Sequence, residues 1–549
     1  MSETATSKES TTTGQGSSSV GIGSGGSGTG ARHQGRFDSA TERALGWLDD
    51  RLGVGKGRSL LDKIFPDHWS FLLGEIALYS FVVLVLTGVF LSLYFVPSTK
   101  EIIYHGAYAP LRGKLVSEAY ASTLKISFSV RGGMVIRQMH HWAADVFVGA
   151  IAIHMMRIFF TGGFRKPREL NWMVGVTLLM LAIVNGFLGY SLPYDLVSGT
   201  GLRIAYSIIL SIPLVGSYLA FFLFGGVFPG NGIIEPRMFI LHVLIVPIII
   251  AALIGAHLFM LVRQKHAQFP GKGRTEHNVV GSPLYPTFMA KTLGLFFIVT
   301  GVLWMLGGLV QINPIWQYGP YQPYKVTYAV QPDWYMGWLD GAMRIMPSWE
   351  FTGFGHTIPL EVLLPAVLFP GLTFTLFYAW PFVEARITGD RAVHNILDFP
   401  RYRPKRTALG AAGVAFYFTL FSASATDVLA NFFQVSLNTV LWSFRFLVIA
   451  VPVVVGIVTY RICKELAAMP VTDEPKRSVI LSRTEEGEYV MEEASIRPGD
   501  APDDLDPIAV PARIGAGVED AGLDEDGLDK EDIPGELLDK VPGVRRVTT

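Results

Sequence analysis

This chain of 549 residues contains one cysteine, Cys463. A lone thiol makes no disulfide within a chain and builds no Cys-ligated zinc or iron–sulfur centre. It also lies far from the histidines discussed below, which excludes a thioether-linked haem beside them. Charge is scarce too. Only 17% of the residues are Asp, Glu, Lys or Arg, while 50% are hydrophobic. A soluble protein of this length needs more charge on its surface. No cleavable signal peptide is expected, and residues 1–35, rich in Ser, Gly and Thr, read as a disordered tail. There is no short-period internal repeat, and no nucleic-acid partner is expected.

What is plentiful is apolar sequence in blocks of about 20 residues, each enough to cross ~30 Å of hydrocarbon at ~1.5 Å per residue. Such blocks occupy 69–96, 138–160, 172–193, 237–262, 289–312, 357–382, 408–425 and 437–462, with a further run at 204–228. Charge sets the count. The segments "MRIFFTGGFRKPREL" after the second block and "RQKHAQFPGKGR" after 237–262 are both basic, so both belong on the cytoplasmic side. Two spans must then separate them, and these are 172–193 and 237–262. The 204–228 run, with Pro213, Gly225 and Gly226, therefore reads as an interrupted hairpin at the outer interface. The same rule places "RITGDRAVHNILDFPRYRPKRT" and both termini inside. The expected fold is all-α, with eight transmembrane helices. Residues 464–549 hold 22 Asp+Glu against 10 Lys+Arg, a balance of −12 against −1 for the whole chain, which leaves +11 elsewhere. This acidic tail is expected to be mostly disordered.

The stretch "RQMHHWAADVFVGAIAIHMMR" (137–157) puts His140, His141 and His154 into a membrane span. One such histidine is ordinarily an interhelical hydrogen bond, but polar groups in a bilayer are costly and point to function. At 100° per residue, His140 and His154 lie within about 40° of one face and about 21 Å apart along the axis. His141 lies nearly opposite His154 and reads as a packing or hydrogen-bonding residue. The 237–262 span repeats the pattern: His242 and His257 fall within about 60° of one face, about 22 Å apart. Both spans run from outside to inside, so the histidines pair in two layers. Two imidazoles across a four-helix interior suit a six-coordinate haem iron. The outer layer is His140 with His242, the inner His154 with His257. Gly74 and Gly88, and likewise Gly175 and Gly189, are 14 residues apart and leave room between helices; the alternative is ordinary membrane-helix packing. Arg137 and Arg157 stand about one turn beyond the nearer histidine, toward the surface, where they suit haem propionates; the alternative is snorkelling.

The chain resembles the cytochrome b subunit of cytochrome bc complexes over roughly residues 60–465. The resemblance rests on the two His pairs, the two Gly pairs, "GYSLPYD" (189–195) and "QPDWYMGWLDGAMRIMP" (331–347). "PDWY" looks like the family's Pro-Glu-Trp-Tyr motif at an outer quinol site, with Asp333 in place of the acid. The 15-residue His242–His257 spacing is like the cytochrome b6 branch, and eight spans in one chain are like the mitochondrial branch. The long Ser/Gly N-terminus, the Asp and the acidic extension look actinobacterial.

That resemblance implies two non-covalent haems b and menaquinol as substrate. It implies a Rieske iron–sulfur subunit, a di-haem cytochrome c subunit, a cytochrome aa3 oxidase in a supercomplex, and a homodimer of the bc complex. It implies a multi-pass protein of the bacterial plasma membrane. Asp333 is the implied proton acceptor, with Tyr335 and Tyr190 lining the site; the alternative for Asp333 is a helix N-cap. The organisation expected is a cytoplasmic N-terminal segment (1–58), a di-haem bundle (59–275), a second membrane domain (276–465) with the quinol loop 313–350, and the tail (466–549). Two departures stand out. Val262 occupies the position of a family His at the inner quinone site, and Arg263, Lys265, His266 and Glu276 are candidates to replace it, against ordinary loop charge. Asp340 stands where mitochondrial members have Tyr, so the outer pocket is expected to differ in shape and polarity. Two other readings compete. A dehydrogenase or hydrogenase anchor has four to six spans and lacks the "PDWY" loop. A proton-coupled transporter does not explain matched His, Gly and Arg positions.

Overall fold

In the computed structural model the described residues are 61, 63–469 apart from 231, 272, 326–330 and 354, and two strands at 477–483 and 489–495. The N-terminal segment 1–58 and most of the acidic tail lie outside the described residues. Among the described residues seven helices are long and apolar enough to cross a membrane, or eight when one bent pair counts as a span. They are α1 (Trp69–Ser92), α3 (Gly133–Thr161), α4 (Glu169–Ser191), α7 (Ile234–Arg263), α8 (Leu284–Leu309), α10 (Leu360–Thr388) and α13 (Leu437–Ala468). The bent pair is α11 (Pro404–Ala423) with α12 (Thr426–Phe433), which meet at 67°. Shorter helices are α2 (Glu118–Phe128), α5 (Leu196–Leu210), α6 (Gly216–Phe224) and α9 (Gly337–Ile345). The fold is all-α and polytopic. Outward faces carry bare hydrophobic side chains, with Leu86 65%, Phe297 62% and Phe446 70% exposed, which suits lipid and not water.

The 204–228 run folds as two short helices, α5 and α6, and not as a span. Asp195 of "GYSLPYD" starts α5 with a reciprocal cap. Its Oδ2 accepts from Val197 N at 3.0 Å, and Ser198 Oγ accepts from Asp195 N at 3.0 Å. Gly225, at φ 75°, ends α6 in a conformation that favours glycine.

Helix α7 contains a π-helical turn at Leu241–Ile245 that includes His242. Pro247, two residues past its end, donates no N–H, so the carbonyls one turn back need a wider turn. The turn also absorbs one residue. A 15-residue separation that would be about 60° out of phase in a straight α-helix thereby behaves as a 14-residue one. His242 and His257 thus keep step with His140 and His154.

The three basic loops meet at one end of the molecule. Gln268 N donates to Asn395 O at 2.9 Å and Leu397 N to Gln268 O at 2.8 Å. Arg168 donates to His394 O at 2.7 Å and to Lys265 O at 3.1 Å. Asp398 gathers Arg165 at 3.1 Å, Arg403 at 3.1 Å and Arg406 at 2.6 Å. Arg406 also pairs with Glu384 at 2.8 Å. The charge that the positive-inside rule reads as sidedness is therefore also the tie between the two membrane halves. Within the acidic tail Arg477–Arg483 pairs antiparallel with Tyr489–Ser495. "RSVILSR" is rich in β-formers, which overrides its acidic surroundings.

Arg406 is buried between two carboxylates, and Arg406→Leu should cost about 3 kcal/mol by leaving Glu384 without its cation, while Asp398 keeps Arg165 and Arg403. The expected result is a clear fall in the thermal-aggregation midpoint of the detergent-purified protein.

Candidate functional site

Helices α1, α3, α4 and α7 enclose two cavities, one above the other. The first, of about 420 Å³, is lined by His140, His242, Gly88, Gly189 and Arg137. The second, of about 370 Å³, is lined by His154, His257, Gly74, Gly175 and Arg157. Both volumes fall in the range of cofactor pockets. The four histidines are thus sorted into the two pairs that their spacing implies.

In the first cavity the imidazole ring centres of His140 and His242 are 6.1 Å apart, with planes at 80°. Two imidazoles binding one metal ion from opposite sides through ~2 Å bonds put their ring centres about 6 Å apart. His140 Nδ1 is hydrogen-bonded to Thr87 Oγ1 at 2.9 Å, and His242 Nδ1 donates to Asn185 O at 3.0 Å. Each ring is thereby fixed through one nitrogen, which orients the other. In the second cavity the Asn171 carbonyl lies against His257, fourteen residues before Asn185.

The glycines meet the histidines one to one. A Cβ on Gly74 would lie 3.2 Å from His154 Cε1, and one on Gly88 3.2 Å from His140 Cε1. One on Gly189 would collide with His242, while one on Gly175 would sit 3.9 Å from His257. The space they provide is taken first by the imidazole edge. Arg157 Nε and Nη2 and Arg137 Nε are buried without a protein partner. A buried guanidinium left unpaired signals a missing anion. Arg137 Nη2 donates to Asn313 O at 3.1 Å, and Arg157 packs over Phe71 at 4.3 Å. These residues fit an iron porphyrin, the imidazoles suiting its metal and the arginines its carboxylates.

The "PDWY" loop closes the first cavity, with Asp333, Tyr335, Tyr190 and His141 on its wall. Asp333 does precede a short 3-10 helix, Trp334–Met336, but its carboxylate makes no cap. It turns away to His141, whose Nε2 is 2.9 Å from Oδ1, and Tyr335 Oη donates to Oδ2 at 3.0 Å. Burial and the facing carboxylate hold the Tyr335 phenol well above its usual range, so it is a permanent donor. Tyr190 meets His141 edge to face, with ring centres 6.5 Å apart. Asp145 completes the cluster: a carboxylate oxygen of Asp145, a ring nitrogen of His141 and a carboxylate oxygen of Asp333 all lie within 4.8 Å of one another. Asp340 does not line the cavity, being engaged by Arg344 at 2.8 Å.

His141 and Asp145 were not among the site residues read from sequence. The signal was available, because residues four apart share a helix face. Gly186, against which the Tyr335 hydroxyl packs, could not have been singled out. At the other end, the four candidates to replace the inner histidine separate. Arg263 is exposed, Lys265 Nζ donates to His277 O at 3.0 Å, and Glu276 accepts from the Ile396 N–H at 2.9 Å. His266 alone of these lines the second cavity, its ring centre 4.3 Å from that of Phe65 with the planes tilted by 49°. Burial, with Lys63 and Arg168 alongside, pushes its imidazole down to about 4, so it is neutral at pH 7.

Residues 145–320 match the family described as cytochrome b(N-terminal)/b6/petB. The cytochrome bc1 complex cytochrome b subunit of Streptomyces coelicolor is 48% identical over 457 residues, covering 82% of this chain and 83% of the relative. The chain belongs to the cytochrome b family of bc1 complexes. The cytochrome b subunit of Mycobacterium tuberculosis is 51% identical over 436 residues, with 79% of each chain covered. That of Corynebacterium diphtheriae is 50% identical over 417 residues, covering 76% of this chain and 77% of the relative. A solved hyperthermophilic respiratory Complex III shares the fold, with a TM-score of 0.56 at 20% identity, over 76% of this chain and all of the other. As a cytochrome b, the chain is a multi-pass membrane protein that binds haem b and serves in respiratory electron transport as a core subunit beside others.

The glycine distances give a graded expectation. Gly189→Ala should remove much of the b-haem absorbance of the purified protein, while Gly175→Ala should keep most of it. Reduced-minus-oxidised spectra normalised to protein would check this.

Proposed function

We propose that this cytochrome b is the di-haem subunit of a menaquinol:cytochrome c oxidoreductase that builds a proton gradient. The observation that carries the reading is the sorting of four intramembrane imidazoles into two cavities, with the Asp333 loop closing only the first. In this reading His140 and His242 hold an outer haem b, and His154 and His257 an inner one. When bound, the haems supply one-electron redox chemistry between the two cavities. Gly74, Gly88, Gly175 and Gly189 keep the imidazoles seated, while Arg137 and Arg157 neutralise propionates.

Quinol binds beside the first cavity and gives up two electrons and two protons. One electron leaves to a Rieske iron–sulfur subunit. The other crosses the chain to reduce a quinone at the inner cavity, where His266 is the residue offered to the quinone. Asp333 accepts a proton from the quinol hydroxyl. Tyr335 and His141 hold its two oxygens in place, and Tyr190 lines the pocket. Protons leave on the outside and enter from the inside. The di-haem bundle takes residues 59–275, and residues 276–465 present the quinol loop 313–350. The remaining partners are a di-haem cytochrome c subunit, a cytochrome aa3 oxidase and a second copy of the complex. The membrane is the bacterial plasma membrane, with both termini in the cytoplasm.

Haem extraction and quantification test this first, with two b haems per chain expected. Alanine at 140, 154, 242 or 257 should each remove one or both, and alanine at 141 neither; a well-folded chain without haem would overturn the reading. In the assembled complex Asp333→Asn should keep both haems and lower quinol oxidation by about 10²-fold or more. Unchanged turnover with a menaquinol analogue would remove Asp333 from the mechanism.

A further inference from the structure

The second cavity has a wall that nothing above uses. Glu75 lies on α1 beside Gly74, inside a span, and lines this cavity together with Tyr79 and Thr292. A carboxyl at that depth is expensive unless it has a task. Its partner is a hydroxyl and not a cation: Thr292 Oγ1, from α8, donates to Glu75 Oε2. Thr292 in turn is hydrogen-bonded to Tyr79 Oη. With the Thr292 proton given to Glu75, the phenol must be the donor of the second bond. The chain Tyr79–Thr292–Glu75 is therefore polarised, with each hydroxyl proton directed toward the carboxyl.

The cavity's other titratable groups do not suit proton supply. Arg157 and Arg168 keep their protons at any relevant pH. His154 and His257 are the paired imidazoles. Tyr79 is too weak an acid. His266 is neutral and holds one N–H, suited to gripping a carbonyl oxygen. An exposed ion pair lies beside this junction. Asp67 and Lys291 pair at 2.9 Å with 44% and 52% of their side chains exposed, and Lys291 directly precedes Thr292. Ser282 Oγ donates to the same Asp67 carboxylate.

We infer that Glu75 is the proton donor to a naphthoquinone reduced in the second cavity, with Thr292 and Tyr79 as positioning residues. The inference rests on the reading above, in which that cavity is the inner quinone site. The quinone takes two protons and two electrons, which b-haem chemistry would supply one at a time. The Glu75 carboxyl O–H breaks as a quinol O–H forms. The carboxylate is then reprotonated from water on the Asp67–Lys291 side, and repeats the transfer for the second proton.

The test uses the assembled complex carrying Glu75→Gln, Glu75→Asp or Thr292→Val. Menadione added to the oxidised complex, with no electrons supplied, should perturb a carboxyl C=O infrared band that Glu75→Gln lacks. After reduction by a menaquinol analogue, re-oxidation of the b haems by menadione should be slowed at least tenfold in Glu75→Gln. Glu75→Asp should restore most of that rate, and Thr292→Val should fall between. An unperturbed band with unchanged re-oxidation would overturn the assignment. So would a lower thermal midpoint alone, which is what a mere clamp between α1 and α8 predicts. If Glu75→Gln does not assemble, Glu75→Asp and Thr292→Val decide: wild-type rates in both would overturn it. Failure of quinol to reduce the haems of the unmutated complex would instead sink the underlying reading, and normal reduction there with an unchanged Glu75→Gln sinks only the role of Glu75.

Discussion

Four imidazoles must be carried into an apolar four-helix interior and face one another in pairs, and most of this chain is arranged around that demand. An imidazole in a membrane is tolerated only when its nitrogens are occupied. In the first cavity Thr87 and the Asn185 carbonyl each take one nitrogen of a ring, which leaves the other for a metal. Gly74, Gly88 and Gly189 lie where a larger residue would press on the rings. The π-helical turn at Leu241–Ile245 brings the fourth helix into phase.

The second membrane half serves this bundle from outside. It supplies the loop whose Asp333 reaches across to His141, next in sequence to a paired histidine. It is tied on by the Asp398–Arg406–Glu384 network at one end. Near the other end Gln331 donates to Asp427 at 3.0 Å, and Arg344 pairs with the same carboxylate at 3.0 Å. These bonds hold the approach to the "PDWY" turn, so the loop is anchored on both its own helix α9 and on α12.

Much of this was legible in the residues, because spans and sidedness follow from hydropathy and loop charge, which act locally. The His pairs were legible because a helix is periodic. The 60° misfit of His242 with His257 was visible, but not its remedy, since a π turn depends on how Pro247 packs as well as on its presence. From sequence His141 reads as a packing or hydrogen-bonding residue, because its face differs from that of His154. That face proved to be the one toward Asp333, some 190 residues away in sequence, and no local rule reaches so far. Likewise His266 and Glu276 look alike as loop charges, and only tertiary folding turns one into the cavity and gives the other to the backbone of Asn395 and Ile396.

The glycine behind each ring has a further consequence. In the first cavity His140 and His242 each abut bare backbone and are tied through one nitrogen, so neither ring has room to tilt or swing. For a one-electron centre held between these two rings few nuclei would move as an electron arrives or departs, and the reorganisation energy of the transfer would be small.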